Sequence, residues 1–182
     1  MNYYAGKELA ESFRTVRKNT LIIAQEIPQE KYTFRAAPET RSVGELLVHI
    51  AMADGFQYQI HATERRTTLE GFDFPSLMKR FTAEEKDPRT KDQILEMLRG
   101  SGEKWAGFVE GLSDDFLAER VQMPSGMTLP SKSRFEMILS VKEHEMHHRG
   151  QLMLIERLFG MVPHMTREMQ SRLAATASTA KS

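Results

Sequence analysis

The sequence predicts an all-α protein built as a bundle of four helices. Three observations carry this. Four long segments place apolar residues at three- and four-residue steps, three sites match the S/T-x-x-E/Q capping box, and alternating strand patterns are almost absent. A chain of 182 residues can bury one full core and is short for two.

The first helix is predicted from about Lys7 to Glu26. Leu9, Phe13, Val16, Thr20, Ile23 and Ile27 form its apolar face, Arg14, Arg17 and Lys18 fall elsewhere, and Pro28 stops it. A loop from Pro28 to Thr40 follows, with Tyr32 and Phe34 expected to tuck onto the core. Ser42-Val43-Gly44-Glu45 caps the second helix, which is expected to reach about Glu64 and carries His49 on the face of Leu46 and Ala53.

Arg65 to Arg89 is a charged connection broken by Gly71, Pro75 and Pro88, with an apolar patch that suits one short helix. Its length exceeds what two antiparallel neighbours need, so the second and third helices are expected to run parallel across a long crossover. Thr90-Lys91-Asp92-Gln93 caps the third helix, whose apolar face includes Ile94, Leu98, Trp105 and Val109. Gly100, Gly102 and Gly107 weaken it by ~1 kcal/mol each relative to alanine.

Ser113 to Lys132 is a second connection, in which Val121-Gln122-Met123 suits a brief strand and Asp114-Asp115 a helix turn or cap. Ser133-Arg134-Phe135-Glu136 then caps the fourth helix. Ile138, Val141, His144, His148, Leu152 and Ile155 share one stripe, and Gly160 and Pro163 end the helix. A short basic amphipathic piece is expected from Thr166 to Leu173. Residues 1–173 thus form one expected domain, and 174–182 an expected disordered tail.

Composition excludes several function classes. Lys+Arg and Asp+Glu are both 25, so the chain has no overall field to gather nucleic acid or an anionic membrane. No window approaches the ~18 apolar residues of a membrane span, and the first residues lack the order of a signal peptide. The absence of cysteine removes disulfides, thiolate ligands and a cysteine nucleophile, and suits a cytoplasmic location.

The chemistry concentrates in His144-Glu145-Met146-His147-His148. His144 and His148, four apart, stand one helical turn apart on the apolar stripe, where two imidazoles reach one ion. His49 on the second helix supplies a third neutral nitrogen. Three protein ligands leave coordination positions open, as in catalytic rather than structural sites. Imidazole ligands suit Zn, Ni or Fe alike. The same string matches H-E-x-x-H, the zinc protease signature with Glu145 as general base. Lys142, Glu143, His147 and Arg149 crowd it with charge, and no sheet is available to present a peptide. Glu145 is therefore expected to face a neighbouring helix or solvent, and His147 to flank the site.

Arg41-Ser42-Val43-Gly44-Glu45-Leu46-Leu47-Val48-His49-Ile50 and His144-Glu145-Met146-His147-His148-Arg149-Gly150-Gln151-Leu152 together resemble the two characteristic segments of the DinB-like (YfiT-like) family. The resemblance runs from roughly Leu9 to Phe159. It implies an up-down-down-up four-helix bundle and a divalent metal held by His49, His144 and His148. It further implies a homodimer and, in some relatives, S-transfer or isomerisation with a low-molecular-weight thiol. No thiol-binding motif is identifiable here, so no catalytic residue is assigned. Two functions follow as expectations. One is a metal-dependent enzyme, a transferase or hydrolase, acting on a small-molecule substrate. The other is a non-catalytic, metal-binding dimeric module with a structural or stress-related role.

Overall fold

The computed structural model describes residues 4–179. Its seven helices are α1 (Gly6–Glu26), α2 (Val43–Tyr58), α3 (Phe74–Lys86), α4 (Lys91–Glu110), α5 (Asp114–Ala118), α6 (Arg134–Leu158) and α7 (His164–Thr179). The bundle is made of α1, α2, α4 and α6. All three predicted capping boxes form: Ser42 with Glu45, Thr90 with Gln93 and Ser133 with Glu136 satisfy otherwise free N–H groups at the starts of α2, α4 and α6.

Contacts at the helix ends give their directions. Lys91 at the start of α4 donates to the carbonyls of Gln25 and Ile27 at the end of α1, so these two are antiparallel. Gly44 lies against Ile94 and Tyr58 against Phe108, so α2 and α4 are parallel. Lys142 reaches Ser12 and His164 reaches Asn19, which sets α6 along the direction of α1. The parallel pair needs a return path, and α3 provides it: Phe74 starts beside Phe56 and Glu85 ends beside His49. The crossover thus carries a helix of 13 residues that runs back along α2.

Apolar burial follows the periodicity. Leu9, Phe13, Val16, Ile23 and Ile27 of the first segment are buried, as are Ile94, Leu98, Trp105 and Val109 of α4. Tyr32 is buried and donates its hydroxyl to the Ala24 carbonyl at 2.7 Å. Phe34 packs edge-on against Phe159. The brief strand is β1 (Arg120–Gln122), paired antiparallel with β2 (Ser131–Ser133). Asp114 and Asp115 occupy the first turn of α5, capped by Ser113.

Three expectations change. Arg17 is not on the solvent side of α1 but buried, because it finds carboxylate partners in the bundle and a space beside Gly102, where a Cβ would stand 2.7 Å from its guanidinium. The second helix finishes in a π-helical turn over Gln59–Thr63, which turns His61 inward onto Arg134. Finally, the chain stays helical past Ala174, to Thr179. Alanine-rich sequence favours helix without packing, and 174–177 are exposed. Residues 180–182 of the expected tail lie outside the described residues.

Candidate metal centre

The capping boxes fix where α2 and α6 begin, and their antiparallel packing sets His49 opposite His144 and His148. The Nε2 atoms of His49 and His144 are 3.0 Å apart, and those of His148 and His144 3.1 Å. One ligand atom from each residue lies within 4.8 Å of the others. A tetrahedral ion with metal–nitrogen bonds of ~2.0–2.1 Å separates its nitrogens by about 3.3 Å, close to the two separations from His144.

The outer ring nitrogens explain the orientation. Nδ1 of His49 faces Glu85 Oε1 at 2.7 Å, and Glu85 is itself held by Arg41 at 2.6 and 3.2 Å. Nδ1 of His148 faces Gln151 Oε1 at 2.9 Å. Both acceptors require an Nδ1–H, so each neutral ring presents an Nε2 lone pair inward. His144 Nε2 stands between those two lone pairs and has at most one proton to share. A cation at the convergence point resolves the conflict, and the residues present therefore fit a divalent ion. Burial lowers the pKa of all three rings, that of His144 to about 4 with His148 also contributing. The imidazoles are neutral near pH 7, as ligands must be.

Glu145 is one residue away in sequence and in a different cluster. Arg17 Nε donates to both of its oxygens at 3.0 Å, and further guanidinium N–H groups reach Asp54 at 3.2 Å and Ser101 at 3.0 Å. Glu145 is 2 % exposed, with its carboxylate held by α1. This is incompatible with a general base at the histidines. His147 is exposed and touches Gln151.

Sequence reasoning did not single out Glu85, Arg17 or Asp54. For Arg17 a signal exists, since it stands four residues after Phe13 and three before Thr20, both on the buried face. Glu85 had none: it reaches His49 only because α3 folds back along α2.

Two chambers flank the histidines. The larger, about 610 Å³, opens beside His148 and is lined by charged side chains, among them Arg35, Arg41, Lys86 and Glu85. The smaller, about 290 Å³, has His49 and His144 in its wall together with Phe56, Met78, Phe81 and Val141. The centre is thus open on two sides, unlike a closed structural site.

No curated protein matches the chain. The crystal structure of a DinB-like protein, YjoA, from Bacillus subtilis has a similar fold. It matches with a TM-score of 0.63 and 19% identity, over 85% of this chain and 94% of that one. The model of the DinB superfamily matches residues 12–152, a span that holds α2 and α4 whole, most of α1 and α6, and all three histidines. The chain belongs to the DinB superfamily.

Proposed function

We propose that this protein holds a divalent metal at His49, His144 and His148 and is a metal-dependent enzyme, a transferase or hydrolase acting on a small molecule. The observation that carries the reading is the convergence of three Nε2 atoms, two of them bearing inward lone pairs, at a point open to two chambers. When bound, a divalent ion supplies Lewis acidity, making a water or thiol more acidic and polarising a substrate oxygen. Glu85 and Gln151 orient the ligand rings. The charged chamber suits a polar co-reactant such as a low-molecular-weight thiol. A homodimer is part of the same proposal. Leu154 and Leu158 stand exposed one turn apart on α6, with Val162, Met169 and Leu173 exposed beyond them. The lack of cysteine is compatible with a cytoplasmic location; no described helix is long and apolar enough to cross a membrane.

Elemental analysis of the purified protein tests the centre. About one divalent ion per chain is expected, and His148→Ala should abolish it. Unchanged metal content in that variant would overturn the assignment. An activity screen with several metals and thiols, run on the loaded protein, then separates the enzyme from a passive module.

A further inference from the structure

We infer that the smaller chamber selects the substrate: it takes an apolar arm of about six to eight carbons, attached to the group that binds at the three histidines. This rests on the metal-centre reading above and adds the chemical class of the ligand.

The two sides of the centre differ in chemistry. Cationic and anionic side chains line the larger chamber in similar number. The smaller has no charged side chain in its wall. Of its two polar residues besides the histidines, Gln57 has its Oε1 facing His61 at 3.0 Å and Ser140 donates its hydroxyl to the Met137 carbonyl at 2.6 Å, which leaves the Gln57 amide nitrogen as the main donor to a ligand there. A polar ligand group entering there loses its hydration and finds little to replace it, whereas an apolar group gains. With ~30 Å³ for each carbon-sized group and room left for the head, a volume of 290 Å³ accommodates an arm of the stated length. Two of the three ligand histidines open into this chamber, so an arm lying in it is continuous with a head at the centre.

The crossover helix supplies the selecting wall. Met78 and Phe81 of α3 close the chamber opposite Val141 of α6, and Glu85, one turn beyond Phe81, orients His49. One short helix therefore both shapes the apolar wall and steadies a ligand ring.

Cobalt(II)-loaded protein gives a readout at the metal itself. Ethanethiol, butanethiol and hexanethiol serve as probes. Each binds as the thiolate, releasing its proton to buffer, and produces a sulfur-to-cobalt charge-transfer band. Affinity should rise about fourfold for each methylene added. Ala53→Phe fills the chamber, and Met78→Asp charges its mouth at a position 50% exposed, where folding is insensitive. Both variants should keep the cobalt spectrum while losing the gain with chain length. A flat series in the natural protein, or a gain that survives both variants, would overturn the chamber and leave the metal centre standing. Failure of the natural protein to bind cobalt at all would overturn the centre, and the chamber inference with it.

Discussion

Glu145 and His144 are sequence neighbours on α6, yet they belong to polar clusters of opposite kind. Glu145 points toward α1 and meets Arg17, which also reaches Asp54 and Ser101. Each nitrogen of the Arg17 guanidinium has an acceptor within the protein. His144 points toward α2, where inward lone pairs outnumber the protons available between them. The first cluster is complete as it stands. The second leaves a place that a cation would fill. A five-residue string that suggests one site therefore serves two, because successive residues on a helix turn by ~100°.

Removing each acid in turn separates the clusters. Glu145→Ala has the largest expected effect on stability. It leaves a buried guanidinium with Asp54 as its one carboxylate, and breaking a buried pair costs about 3 kcal/mol or more. Denaturant unfolding should record that loss while metal content stays at the natural level. Were the variant stable but metal-free, the two clusters would not be independent and Glu145 would belong to the metal centre after all.

Glu85→Ala should do the reverse at smaller scale. Its carboxylate fixes the tautomer and orientation of His49, and loss of such an outer partner typically weakens metal binding 10–100-fold. Competition with a chromogenic chelator measures this directly. Global stability should change little, since the remaining buried side chain of α3 is Leu77. An unaltered metal affinity would mean that packing alone holds the His49 ring.

These cases show what the sequence makes legible. Capping boxes and apolar periodicity act locally, so the four bundle helices are readable, and the starts of three of them from Ser42, Thr90 and Ser133. His144 and His148 are readable for the same reason, being one turn apart on a single helix. Pairing them with His49 needs only that two amphipathic faces meet. Glu85 lies beyond that reach, because its place depends on how a 13-residue helix returns along α2 within the crossover. Arg17 looks like surface charge in isolation. Its burial depends on three partners from α2, α4 and α6 and on the absence of a side chain at Gly102.

Glu156 supplies the sharpest control, because its effect depends on pH. It follows Glu145 by 11 residues, three turns on and ~20° from the same face. Like Glu145 it is fully buried, but neither of its oxygens has a hydrogen-bond partner in the protein. Burial, with Glu26 nearby, raises its pKa from 4.5 to about 7. The folded state thus keeps a proton that the unfolded state releases between those values. The resulting stabilisation is full below about pH 4.5 and is lost as pH rises through 7. Glu156→Gln preserves the shape of the neutral acid and removes its titration. The variant should match the natural protein near pH 4 and exceed it in unfolding free energy near pH 8, by about 3 kcal/mol. A difference that is the same at both pH values would show that Glu156 titrates normally in the fold, and that a buried acid on this face of α6 needs no partner like Arg17.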